Sequence, residues 1–425
     1  MERFVRGARC APAAALLGLV LMIAATPLSP ARAEGEGLGS TLSGLLEAGH
    51  RLSPQLRVSA LETEAAAARA DGAGALPDPT FSVGIKRSTG MTEFMLEQTF
   101  PLWGKRGLQK TAALDALEAT RGRERATRDA FDERMKVEFA RYVAVSGEIV
   151  LNRAIISLTR QAAGVRRERY GQGNGTASEA ILTEAEAIQA ETDAVRLEAD
   201  RRAVRARINA LLLRAPEAPL AAPARGRVLP SALPPVPALV ARATASNPTL
   251  AAAEAEVQGA NAQAELARKA WYPDVTLGAG PVQRDSMSPS YDVTVSISIP
   301  FQTGPKIAGE REAVANANAA RSRVDATRAD IGGELGAQVA AYDAARQVAD
   351  ILGRRLIPNY SAAKAADLAR YGAGANGGAN GGGGGLDGAL LGDRRIRQAR
   401  LELLKSRMDA EIALAAIERL IGEDL

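Results

Sequence analysis

The same order of landmarks runs twice through this chain, and each pass reads long helix, two short strands, long helix. Pro54 returns at Pro248, Asp78 at Asp274, Phe100-Pro101 at Ile299-Pro300, and Tyr170-Gly-Gln-Gly at Tyr371-Gly-Ala-Gly, with shifts of 194, 196, 199 and 201 residues. A period this long is the duplication of a whole structural unit rather than a solenoid repeat. The first copy takes 34–213 and the second 238–425, and the proline- and alanine-rich stretch 214–237 joins them.

Residues 1–33 read as an export signal. Arg3, Arg6 and Arg9 precede the apolar run from Ala11 to Ala25, which is too short for a membrane-spanning helix, and Ala31-Arg32-Ala33 offers a small-x-small cleavage pattern. The sole cysteine, Cys10, lies inside this leader. A mature chain starting at Glu34 therefore carries neither a disulfide nor a lipidated cysteine. Losing Arg3, Arg6, Arg9, Arg32 and Glu2 takes the formal charge from +4 to +1. That leaves no basic field for nucleic acid.

The helices are long and alanine-rich. Ile396, Ala399, Leu403, Ser406, Ala410, Ala413, Ile417 and Leu420 keep the alternating three-four spacing of a coiled-coil seam. Ile181, Ala185, Ile188, Thr192, Val195 and Ala199 repeat it in the first copy and are expected to be the packed face there, with Glu184, Glu191, Arg196, Glu198 and Arg201 solvated. No proline interrupts Lys105 to Arg169. Helix throughout would run about 97 Å, too long for a compact domain. Such helices must lie side by side as a bundle or a tube wall.

Four strands are expected, at about 80–88, 91–99, 274–282 and 291–299. Phe81, Val83 and Ile85 alternate with Ser82, Gly84 and Lys86. Phe94 and Leu96 oppose Glu93 and Glu97, and Val293, Val295 and Ile297 oppose Asp292, Thr294 and Ser296. About nine residues suffice to cross a bilayer core when tilted, and a membrane barrel demands lipid on one face, water on the other and no free edge. Trp103, Trp271 and Tyr272 fall at the helix-strand junctions, where an interfacial aromatic belt would sit. Four strands cannot close around an open lumen, so this reading requires an oligomer.

In three places the chain resembles the TolC-like outer-membrane factor family. These are Asn247-Pro-Thr-Leu followed by an alanine-rich helix and Trp271-Tyr-Pro-Asp-Val-Thr-Leu; Ile299-Pro-Phe mirrored by Phe100-Pro-Leu-Trp-Gly-Lys-Arg; and Tyr170, Gly173, Gly175, Thr176, Glu179 and Ile181 opening a heptad helix. Trp103-Gly-Lys-Arg looks like the heavy-metal efflux branch of that family. The resemblance implies a mainly α fold with a small β part. In it, two repeats build a long coiled-coil tunnel in the periplasm and lend four strands per chain to a homotrimeric barrel in outer-membrane lipid. It further implies a passive exit duct of a tripartite efflux pump, docked through its helix tips to a periplasmic adaptor protein and thereby to an inner-membrane pump. By position the docking tips are Tyr170, Gly171, Gly173, Thr176, Ile181 and Leu182 in the first copy, and Tyr371, Gly372 and Leu390 in the second. Asp367, Asp387, Asp393 and Arg394 are tip-gate candidates, the carboxylates expected to pair with Arg394 or Arg395. The second tip departs from the pattern by a glycine-rich insert at 372–388.

No residues assemble a catalytic pattern: HExxH, a P-loop and a nucleophile elbow are all missing from the sequence, and His50 is the one histidine. No enzyme activity, cofactor or metal site is expected. Met91 and Met95 are close, but strand packing accounts for them better than metal binding. Two readings compete with the efflux duct: the outer-membrane channel of a type I secretion system, and a soluble periplasmic coiled-coil scaffold, which would leave the alternating strands unexplained.

Overall fold

A computed structural model describes residues 37–173, 175–284, 287–372 and 386–425. The leader and the core of the glycine-rich insert lie outside them. The first copy comprises α1 (Leu42–Leu52), α2 (Pro54–Gly72), β1 (Thr80–Lys86), β2 (Met91–Phe100), α3 (Lys105–Gly171) and α4 (Ala177–Leu211). The second comprises α5 (Val236–Ser246), α6 (Pro248–Lys269), β3 (Asp274–Arg284), β4 (Met287–Ser298), α7 (Thr303–Ile351), α8 (Ile357–Gly372) and α9 (Leu386–Ile421). Matching helices start with matching chemistry. Pro54 and Pro248 each occupy the first helical turn, where a missing N–H costs nothing, behind Ser53 and Asn247.

α3 spans 67 residues, about 100 Å of unbroken helix. Its upper part packs on α2 and α6, and its lower part on α4 and α9. α7 pairs with α6 and α9, and α8 packs chiefly on α9. Between α7 and α8 lies the one irregularity in these long helices among the described residues, a π-helical turn at Leu352–Leu356.

Each copy has its own core beside the linker. Leu45, Phe131, Met135, Phe139, Tyr142, Ile208 and Leu212 form the first, and Leu239, Leu250, Leu335, Tyr342, Leu414 and Ile417 the second. The two tyrosines, 200 residues apart, do the same job. Tyr142 donates its hydroxyl to Ala221 O at 3.2 Å and Tyr342 to Pro230 O at 2.7 Å, so each copy tethers one end of the linker.

The strands form one antiparallel sheet in the order β1-β2-β3-β4. Both ends of this sheet are open edges, and the duplicated hairpins meet at β2 and β3, with Glu97 opposite Gly278 and Phe100 opposite Val275.

One expectation fails. The α9 seam is packed as its spacing suggests, with Ile396, Ala399, Ser406, Ala410, Ala413, Ile417 and Leu420 buried. In α4 the stripe Ile181, Ala185, Ile188, Thr192, Val195 and Ala199 instead faces away from the protomer, Ile188 being 59 % and Val195 69 % exposed. α3 is met by Ala187, Ala190, Val204 and Ile208. α4 carries two apolar faces, and the alanine face wins because it lets the α3 and α4 backbones approach closely. An ion ladder runs along the border of this contact. Arg153–Glu198 (3.5 Å), Arg160–Glu191 (2.7 Å) and Arg167–Glu184 (2.7 Å) step by seven residues along both helices, so the glutamates expected in solvent are solvated and also reach α3.

Candidate conduction path and docking surfaces

The sheet has two chemically distinct faces. On one, Phe81, Val83, Ile85, Phe94, Leu96, Val293, Val295 and Ile297 are all exposed, Val293 at 78 %. Phe81 and Phe94 stack across β1 and β2 with ring centroids 6.4 Å apart. The other face is mainly polar, with Met95 and Val282 buried among its side chains. Thr99 and Thr276 share a hydrogen bond of 2.9 Å, and a Cβ at Gly278 would lie 3.1 Å from Glu97 Cγ and 3.2 Å from Met95 Sδ. Exposed apolar side chains on a sheet face cost free energy in water, roughly 25 cal/mol per Å² of apolar surface. A face this continuous requires a non-aqueous neighbour.

Where the sheet meets the helices, the two copies are riveted together. Trp103 Nε1 donates to Pro273 O at 2.8 Å, and Lys105 Nζ reaches Tyr272 O at 2.9 Å and Asp274 Oδ1 at 2.8 Å. Trp103 holds φ at +65°, an uncommon conformation for a bulky residue, sustained by that bond and by its contact with Tyr272 at 5.4 Å between centroids. Trp103 and Tyr272 are exposed here. Trp271 is half-buried and turns its indole towards Glu310 Oε2 at 3.4 Å.

At the far end of the helices, the first tip is a tight reversal. Tyr170 and Gly171 close α3, Gly173 takes φ +76°, and Thr176 caps α4 by accepting the Glu179 N–H at 3.2 Å. Glycine is the residue that adopts this angle without strain. Ile181 and Leu182 follow, both exposed. The second tip is described in part: Tyr371 and Gly372 end α8, and Asp387 and Leu390 lie on the first turns of α9, the side chains of Tyr371, Asp387 and Leu390 falling outside the described residues. For Asp393 the expected pairing is not the observed one. Asp393 binds Lys364 at 2.8 Å rather than Arg394 or Arg395, because α8 faces it across the hairpin. Arg394 instead crosses to Glu186 of α4, tying the two copies together near the tips. Asp367 lies against Gly388, where a Cβ would come within 2.6 Å of its carboxylate.

Midway along the helices is a cluster that sequence reasoning missed. Glu418 of α9 is buried and accepts from Lys136 Nζ of α3 at 2.7 Å and from Arg227 of the linker at 2.6 and 3.0 Å; Asp424 completes it by pairing with Lys136. These partners lie up to 288 residues apart, and no local pattern announces them. Among the described residues, no three His, Cys, Asp or Glu side chains converge as a metal site would require.

A sheet with an apolar exposed face on the end of a helical bundle about 100 Å long is the architecture of an outer-membrane channel with a helical tunnel. Comparisons with known proteins agree. The family model described as outer membrane efflux protein matches residues 239–423. The nickel and cobalt resistance protein CnrC of Cupriavidus metallidurans is 32 % identical over 320 residues, covering 72 % of each chain. Among solved structures, VceC of Vibrio cholerae aligns with a TM-score of 0.74 at 19 % identity, covering 90 % of this chain and 96 % of its own. CusC aligns with a TM-score of 0.73 at 15 % identity over 90 % and 92 %. The chain belongs to the outer membrane efflux protein family. It is an outer-membrane efflux channel whose helical tunnel stands in the periplasm.

Proposed function

We propose that three copies of this chain close one barrel, each lending β1–β4, and form the passive exit duct for metal cations in a tripartite efflux pump. The observation that carries the oligomer is the sheet itself, which has an apolar exposed face and open edges at both β1 and β4. Lipid cannot satisfy the hydrogen bonds of an open edge, so β1 of one copy pairs with β4 of the next. The apolar face then lies in lipid, with Trp103 and Tyr272 at its periplasmic border, and the polar face lines the lumen. The exposed α4 stripe of Ile181, Ile188 and Val195 gains cover in the same assembly. Likeness to CnrC, a nickel and cobalt resistance protein, supports metal cations as cargo. The helix tips around Tyr170–Leu182 and Tyr371–Leu390 meet a periplasmic adaptor, and Arg394 with Glu186 belongs to the gate.

Two measurements test this. A photocrosslinking residue at Thr176, irradiated in living cells, is expected to capture a periplasmic adaptor protein. A strain lacking the gene is expected to lose tolerance to nickel or cobalt. Capture of nothing by a protein demonstrably in the outer membrane would overturn the tip assignment, and unchanged tolerance to both metals would overturn the cargo.

A further inference from the structure

α4 and α9 both pack on the lower part of α3, and both climb from the tips. Between them lies a cleft of about 780 Å³, within the range of roughly 300–1,000 Å³ that holds small ligands. It follows α9 from Leu391 to Lys405, about 21 Å of helix. Its floor is apolar, made by Ile155, Leu158 and Ala162 of α3, with Leu401 on the α9 wall. Arg394–Glu186 is the one ion pair that crosses it among the described residues. Four arginines line the cleft, and three are answered. Arg166 binds Glu179 at 3.0 Å, Arg196 reaches Asp193 of its own helix at 3.5 Å, and Arg394 binds Glu186. Arg397 is half-buried and makes no hydrogen bond or ion pair among the described residues. The lysine has carboxylates nearby. Burial raises the pKa of Glu148, while Lys405 pulls it down and Asp200 pushes it up, so the sheet end of the cleft carries charges of both signs. Arg397 stands two turns of α9 nearer the tip, with Leu401 between it and Lys405. A guanidinium drawn out of bulk water without an acceptor is costly, and its planar fork matches the paired oxygens of an oxyanion.

We infer that the cleft between α4 and α9 binds an elongated anionic amphiphile, its oxyanion held by Arg397 and its apolar body laid along Ile155, Leu158 and Leu401. The site is built within one protomer, so it does not depend on how copies assemble or on what the duct carries. The apolar floor supplies the contact area, and Arg397 supplies the sign. A cationic amphiphile of the same length would set its charge against the guanidinium. A neutral one would forgo the charge-assisted hydrogen bonds. Bound there, the ligand fills a gap that Arg394–Glu186 alone spans by ion pairing among the described residues, and it joins α3, α4 and α9 into one packed unit beside the tips.

The test is protection of a thiol in the cleft. In a Cys10→Ser background, Thr159→Cys places one thiol on the half-buried lining of the cleft, and Ser157→Cys places a control on an exposed part of α3. Purified protein in lipid nanodiscs is treated with a neutral methanethiosulfonate reagent, with and without dodecanoate below its micelle concentration. Dodecanoate is expected to slow modification of Thr159→Cys by about tenfold at saturation, because a bound ligand is largely enclosed by its pocket, and to leave Ser157→Cys unchanged. Dodecyltrimethylammonium should protect neither thiol. Adding Arg397→Gln should raise the dodecanoate concentration for half-protection by about tenfold or more, and Arg397→Lys by less. Absence of protection, equal protection by the two amphiphiles, or protection indifferent to Arg397→Gln would each overturn the inference. A Thr159→Cys thiol shielded in intact cells, yet not by dodecanoate in purified protein, would give the cleft to a protein partner and overturn it as well. The comparison of the two amphiphiles needs no change at Arg397, so it stands even if that variant fails to assemble.

Discussion

Glu418 is the side chain through which the two copies and their linker act as one body. It is buried, and it holds Lys136 of the first copy and Arg227 of the linker together. Removing Glu418 leaves Arg227 without its carboxylate and Lys136 with Asp424 alone, and breaking a buried pair costs up to about 3–5 kcal/mol. Glu418→Ala is therefore expected to lower the thermal midpoint of the detergent-solubilised protein by several degrees, and a midpoint within a degree of the parent would contradict the assignment. Glu411, on the same helix, behaves in the opposite sense. Burial raises its pKa above the ordinary 4.5, against the pull of Arg227. A carboxyl with a raised folded pKa binds more protons folded than unfolded, so its contribution to stability falls as pH rises. The cost is full above the folded pKa and absent well below 4.5. Glu411→Gln should be the more stable form at pH 7.5, and its advantage should shrink on acidification towards pH 4.5 in thermal melts; an advantage that grows there would refute the sign.

At the scale of elements, the described helices of the two copies differ where α7 passes into α8. Pro358 has no N–H to offer the Arg354 carbonyl and its ring crowds it, so the ladder slips and Ile357 N–H bonds Leu352 O, five residues back. At the 201-residue shift of the tip landmarks, its counterpart is Ser157, inside the unbroken α3. Pro358→Ser should restore the α-helical ladder and slow amide hydrogen exchange across 352–358; exchange as fast as in the parent would show that something other than the proline makes the turn. The strands offer a paired test. Val295→Arg puts a charge on the lipid side, worth about 2–4 kcal/mol near the bilayer midplane, whereas Ser296→Arg faces water. The first should deplete the protein from the outer-membrane fraction and the second should not. Equal yields would mean the faces are misassigned. Much of this level is legible in the sequence. Period-two alternation exposes the strands because each face has one solvent, and the α9 heptads expose a seam because one stripe is apolar. α4 misleads because it has two apolar stripes, and choosing between them depends on how closely the distant helix α3 can approach each. The π turn is hidden for a similar reason: Pro358 is visible in the sequence, but whether a proline kinks, ends or widens a helix is decided by its packing. Glu186 and Arg394, like Lys136 and Glu418, come together only through the fold, so no spacing rule finds them.

For the whole molecule, duplication explains the shape. Each copy buries its own small core beside the linker, and the two share the sheet, the packing of α3 on α6 and α9, and the buried ion cluster. The low aromatic share, 4 %, suits walls of closely spaced alanine helices and leaves the chain dependent on neighbours for cover. Among the surfaces left open in one protomer are the two edge strands and one stripe of α4, which copies of the same chain are proposed to close. The most direct measurement is a cysteine-pair scan in isolated outer membranes, with Ser82→Cys on β1 combined in turn with Thr294→Cys, Ser296→Cys and Ser298→Cys on β4. Within one chain these edges are three strand spacings apart, about 14 Å, beyond the reach of a disulfide. Oxidation is predicted to give a covalent three-chain species on a denaturing gel for at least one pair, lost on reduction. Single chains throughout the scan, from protein shown to be in the outer membrane, would contradict the closed barrel on which the duct rests.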